Sequence, residues 1–285
     1  SIYFILDNLE LSSWDLIKNK SSNLIDKDYI PNYTSFLTFF IAVAATNLFH
    51  QGNWQRVFSA KNNNILKTSL IYSSIITFAI VFWFGYTGLI SISINSEIVP
   101  DLAFFEIMLK NQNLVIVLAI LILAISLTLS TIDTLINAIS SVFIINGRDL
   151  NKNINKNNIK IKSNYIIIII CLITFIISSK GLSILYLFLL ADLFCCAAVI
   201  TIFYGFFKNS INTKIATVSI ISGLISGILF FPNQNFQSSI LVGNIISENY
   251  FNNFILSNLL FISFMAAILI PILILFIYSL RNSFK

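Results

Sequence analysis

From Asn113 to Asn146 the chain is apolar enough to cross a bilayer, yet one line of polar side chains runs through the middle of that stretch. About 20 apolar residues suffice for a helix to cross the hydrocarbon, so the run reads as a membrane span that tilts or projects beyond it. On a helix turning about 100° per residue, Ser126, Ser130, Asp133, Asn137 and Ser140 share one narrow stripe. A carboxylate at mid-bilayer costs roughly 2.5–3.5 kcal/mol on insertion scales, so Asp133 must face protein, water or an ion. The rest of the chain reads as scaffold around that stripe.

With 57% hydrophobic and 10% charged residues in 285, a water-soluble domain could not hide this much apolar surface. The expected class is an all-α integral membrane protein with seven transmembrane helices, at about 34–49, 69–92, 114–145, 165–178, 182–207, 215–231 and 254–280. Residues 1–33 read as an extracytoplasmic loop with a short interfacial helix around Trp14, and residues 281–285 as a cytoplasmic tail. The chain opens on Ser1 with no initiator Met and no signal-peptide pattern, which suggests a piece of a longer protein. The lipid bilayer is an implied partner and nucleic acid is not, because the net charge of +5 is explained by topology. Loops after the odd-numbered spans hold 12 of the 17 basic residues, with Asp149 as their only acid. The opposite side holds nine of the twelve acids. This alternation predicts a multi-pass plasma or inner membrane protein, the start of the chain outside and its C-terminus in the cytoplasm.

Asp133 and Asp192 are the only ionisable residues well inside a span. For Asp192, a structural hydrogen-bond anchor and a residue on a cation path are both open readings. Cys171, Cys195 and Cys196 all fall within spans and read as small buried hydrophobes. Gly223 and Gly227, with Ser219 one turn earlier, form a small-residue stripe suited to close helix packing, and Pro271 should kink the last span. No phosphate loop, Cys/His metal cluster or Ser/His/Asp arrangement is present, so an enzyme is not expected and no cofactor is implied.

The inner end of the first span, Thr46-Asn47-Leu48-Phe49-His50-Gln51-Gly52, clusters polar residues with a glycine, which suits a helix that unwinds against protein or a cavity. An ordinary helix end at the interface is the alternative. Further on, Gln51-x-x-x-Gln55-Arg56 followed by Ser59-Ala60-Lys61 resembles a signature of the sodium:solute symporter family. Ser130-Thr131-Ile132-Asp133-Thr134 resembles a second segment that the family carries two spans later, and here too one clean span separates the two. His50 stands where the sugar-transporting members carry an Asp, which leaves sugar recognition unsupported.

The resemblance implies the C-terminal part of a symporter: the second half of a leucine-transporter-like inverted-repeat fold plus peripheral helices. An N-terminal half is then expected upstream. The implied activity is secondary active transport, Na⁺-coupled symport of a small polar solute by alternating access. A membrane sensor or accessory subunit on the same scaffold is the alternative. Carried over, the sodium ligands are the hydroxyls of Ser130 and Thr131 and the carbonyl of Leu127. Oxygen ligands of this kind suit a hard cation. Without a cation, the same hydroxyls would bond back to the preceding helical turn. Asp133 and Asp192 are candidate coupling carboxylates; for Asp133 the alternative is a structural pairing with a helix of the other half. Thr46, Asn47 and Gln51 would line the substrate cavity in the family register, with Gln55 and Arg56 as motif residues.

Overall fold

The computed structural model describes residues 17–18, 21–94, 99–109, 113–150, 156–208 and 211–283. The expected interfacial helix around Trp14 and the asparagine- and lysine-rich linker at 151–153 lie outside the described residues. Among those described, the fold is helical, with isolated β-bridges and no strand. The helices are α1 (Ser22–Ile25), α2 (Ile30–Phe49), α3 (Gln51–Ser59), α4 (Asn63–Ile94), α5 (Ala103–Leu109), α6 (Leu114–Leu150), α7 (Lys156–Ser178), α8 (Ile184–Phe207), α9 (Thr213–Phe230), α10 (Asn253–Ser257) and α11 (Leu259–Ser283).

Six of these, α2, α4, α6, α8, α9 and α11, are long and apolar enough to cross a membrane, which makes this a multi-pass membrane protein. The sequence predicts seven. The fourth expected span falls in α7, whose apolar part is confined to Asn164–Ser178 because Lys156, Lys160 and Lys162 occupy its first half. At 1.5 Å per residue that part is about 22 Å long, short of a core roughly 30 Å thick. The seventh expected span begins later than predicted: Asn258 separates α10 from α11, its amide donating to the Phe254 carbonyl at 2.9 Å. Cys196 is buried as expected and Cys195 half-buried, but Cys171 is exposed on α7.

The chain divides into two compact units. One holds Gln51–Gly181 with the stretch ending at Ser22. Here α4 turns through a 3-10 segment (Pro100–Leu102) onto α5, where the Phe84 and Phe104 rings lie 4.3 Å apart. The end of α4 is its buried part, with Thr87, Ile90, Ser91 and Ser93 enclosed and Ser93 Oγ 3.0 Å from Ser21 Oγ. Helix α6 packs on α7 and, further along, on α3. Helix α7 closes on Gly181, whose positive φ of 63° is the left-handed conformation glycine adopts freely at a helix end.

The other unit, Asn23–His50 with Leu182–Lys285, packs α2, α8, α9 and α11 around one core. Ala42 and Ala45 of α2, Leu189, Leu193, Cys196 and Ala197 of α8, and Phe264 and Ala267 of α11 are buried together. Between α9 and α11 the approach is close. A Cβ on Gly223 would stand 2.5 Å from Pro271 Cγ and 2.8 Å from the Ala267 carbonyl oxygen. Ala267 is the residue whose carbonyl loses its i+4 donor to Pro271, so the glycine makes room at the point where the helix ladder is interrupted. A Cβ on Gly227 would meet Leu193 Cδ1 at 2.9 Å. Hydroxyls staple α9 to both neighbours: Ser263 Oγ of α11 donates to the Gly227 carbonyl at 2.8 Å, and Thr201 Oγ1 of α8 pairs with Ser219 Oγ at 2.9 Å. The small-residue stripe read from the sequence is this packing surface.

Candidate functional site

Helix α2 begins after Tyr29 with Pro31 in its first turn and runs to Phe49. His50 then takes an extended backbone (φ −71°, ψ 105°) before α3 starts at Gln51. The helix therefore breaks at the polar cluster, over one residue rather than a longer unwound stretch. His50 Nδ1 is buried without a hydrogen-bond partner.

Alanines at 42 and 45 let α2 come close to α8, and Thr46 is one turn beyond Ala42 on the same side. On α8, Leu189, Asp192, Leu193, Cys196 and Ala197 are among the buried residues, a helical 3–4 spacing that turns the carboxylate toward its neighbour. The two meet: Thr46 Oγ1 donates to Asp192 Oδ1 at 2.5 Å. Asp192 is only 8% exposed. One hydroxyl contributes about 1.5–3 kcal/mol to a charged acceptor. It carries no charge of its own, so it orients the carboxylate without neutralising it. Around the pair stand the thiol of Cys195, half-buried, and that of Cys196, 3.9 Å from the Ile41 carbonyl oxygen. Asn47 is exposed beside Thr46, its amide donating to the Val43 carbonyl at 2.8 Å.

The other expected residues lie in the unit of α3 and α6. Thr131 Oγ1 donates to the Leu127 carbonyl at 2.9 Å, so two of the three expected sodium ligands are adjacent through the back-bond to the preceding turn. Thr134 does the same to the Ser130 carbonyl at 2.9 Å, and Ser126 to Ile122 at 2.7 Å. Ser130, Thr131 and Asp133 are all exposed on α6, while Ser140, lower on the same stripe, has a buried hydroxyl without a partner. On α3, Gln51 is half-buried, and Gln55 and Arg56 are exposed. Gln55 Nε2 reaches Ser141 Oγ of α6 at 3.4 Å, a tie between the two motif-bearing segments. Among the described residues no group of three His, Cys, Asp or Glu side chains is placed to hold a metal ion.

The fold and these polar positions define a multi-pass helical membrane protein with ionisable and hydroxyl groups inside its spans. The chain is 27% identical over 172 residues to the spermidine transporter DUR31 of Candida albicans, the match covering 58% of this chain and 32% of that protein. It thus spans about a third of the length of the curated relative it matches, and that relative is a transport protein rather than an enzyme. No family model matches the chain, and no solved structure matches it. Sequence reasoning found Thr46 and Asp192 separately, but 146 residues divide them and no local pattern announces their hydrogen bond. It missed Cys195 as a neighbour of that pair, although Cys195 follows Asp192 at i+3 on the same helix.

Proposed function

We propose that this chain is part of a secondary active transporter of the sodium:solute symporter type, moving a small polar solute with Na⁺ by alternating access. The observation that carries the reading is the match to a spermidine transporter in a chain whose two polar motifs resemble those of that family. In this reading the leucine-transporter-like inverted repeat is completed by helices upstream. Na⁺ is held by the Ser130 and Thr131 hydroxyls and the Leu127 carbonyl, and Asp133, one helical turn from Ser130, adds negative charge near it. Thr131 Oγ1 bonds back to the Leu127 carbonyl on an exposed stretch of α6, and its oxygen lone pairs are left for a cation. The family register assigns Thr46 and Asn47 to the solute cavity, and α2 ends just beyond them at His50.

The test is uptake of labelled spermidine by the full-length protein in proteoliposomes, with an inward Na⁺ gradient and with none. Gradient-dependent accumulation is expected. Binding of solute without accumulation under any gradient would favour the sensor reading instead.

A further inference from the structure

We propose that Asp192, held by Thr46, is the counter-charge for a protonated amine of the transported solute. This inference rests on the transport reading above and names the chemical class that the site of α2 and α8 takes.

The argument begins with charge. Asp192 is mostly buried, and the hydrogen bond it accepts from Thr46 comes from a neutral hydroxyl. Among the described residues, a basic partner is not within reach on the helices of its own unit. Helix α2 contains no Lys or Arg, and on α8 the nearest flanking bases in sequence are Lys180 and Lys208. Lys208 is about 24 Å further along at 1.5 Å per residue. Its ammonium is placed over the Tyr204 ring at 5.6 Å. Lys214 begins α9 and Arg281 ends α11. An anion in a membrane span is costly unless a cation or a proton joins it, and such residues mark substrate or ion pathways.

Coordination chemistry then separates the cations. A hard metal ion takes about six or more oxygen ligands. Beside the carboxylate stand the Thr46 hydroxyl and the thiols of Cys195 and Cys196, with Leu189 and Leu193 buried on the same helix. The transport reading already gives Na⁺ a site at Ser130, Thr131 and Leu127, which leaves this set for another cation. The set suits an alkylammonium, whose few N–H donors the carboxylate and hydroxyl oxygens satisfy while its methylenes lie on sulfur and carbon. Access is provided as well. Thr46 and Cys195 are half-buried, and Asn47 and Ala191, next to them in sequence, are exposed, so the carboxylate is at the rim of the helix pair rather than sealed within it.

The test uses the full-length protein, with labelled spermidine as probe and 1,4-diaminobutane and 1,4-butanediol as competitors. Wild type is expected to bind spermidine and to release it to the diamine but not to the diol. Asp192→Asn should weaken spermidine binding by about 30-fold, the effect of removing the charged half of such a bond. Its Na⁺-induced thermal stabilisation should stay at the wild-type level. Thr46→Val should weaken binding about 3- to 10-fold and Thr46→Ser restore it. Should Asp192→Asn fail to fold, the Thr46 pair of variants decides. Spermidine binding within threefold of wild type in Asp192→Asn, or loss of the Na⁺ response with binding intact, overturns the proposal. Equal competition by the diol overturns it too. Na⁺-driven uptake of uncharged solutes but of no amine sinks this inference alone. Amine binding that depends on Asp192 with no uptake of any solute supports it while overturning the transport reading.

Discussion

Thr131 can donate its single hydroxyl proton to the Leu127 carbonyl and still present oxygen lone pairs to a cation, so the observed back-bond is compatible with either state of that turn. The two uses differ in what mutation does. Replacing Ser130 and Thr131 together by Ala removes two oxygens from a cation site but only a helix-surface back-bond from an ordinary turn. For the full-length protein the expected outcome is a rise of about tenfold or more in the Na⁺ concentration that half-saturates uptake, equivalent to about 1.4 kcal/mol. An unchanged Na⁺ dependence in the double variant would end the assignment. Asp133→Asn is expected to weaken Na⁺ activation as well, since it removes charge one turn away while leaving both hydroxyls in place.

At the scale of the element, α9 and α11 are bound by shape more than by hydrophobicity, because lipid is as apolar as a leucine-lined interface. The fit depends on Gly223 opposite Pro271. Gly223→Ala drives a methyl into the proline ring and the Ala267 carbonyl. That costs about 1–3 kcal/mol of overpacking, more than the roughly 1 kcal/mol an alanine gains over glycine in a helix. The expected result is a lower melting temperature in detergent. Gly85 and Gly88 on α4 have nothing within 4 Å of the point where a Cβ would stand, so alanine there should leave the melt unchanged or raise it. A uniform response at all three positions would refute the packing account. At the start of α9 the Asn212 side chain accepts from the Lys214 N–H at 3.1 Å. Asn212→Ala should remove about 1 kcal/mol of helix stability, readable as earlier hydrogen exchange in the first turn.

At the scale of the whole molecule, the basic residues predict which side each loop occupies. Lys61, between α3 and α4, belongs to the positive side, and Gln237, in the loop between α9 and α10, to the other; both are exposed. In a Cys171→Ser background, Lys61→Cys should resist a membrane-impermeant maleimide in intact cells and react after permeabilisation. Gln237→Cys should react in both. The opposite pattern would invert the topology.

Apolar run length and helical period were enough to place an expected span on each of the six long apolar helices and to pick out the polar stripe of α6. These are local properties: a backbone in lipid must satisfy its own hydrogen bonds, and only a sufficiently long apolar helix does so. The small-residue stripe at 223–227 was legible for the same reason, since closeness of approach is written into side-chain size. The sequence overestimated α7, where lysines shorten the apolar stretch, and the start of α11, where Asn258 ends one helix and precedes another. Tertiary structure alone decided that Asp192 and Cys195 of α8 meet Thr46 of α2, and that Gly223 opposes Pro271. Each pairing joins residues far apart in the chain. A 3.6-residue period fixes which face of a helix a side chain occupies, but which face of another helix it meets is set by packing between elements.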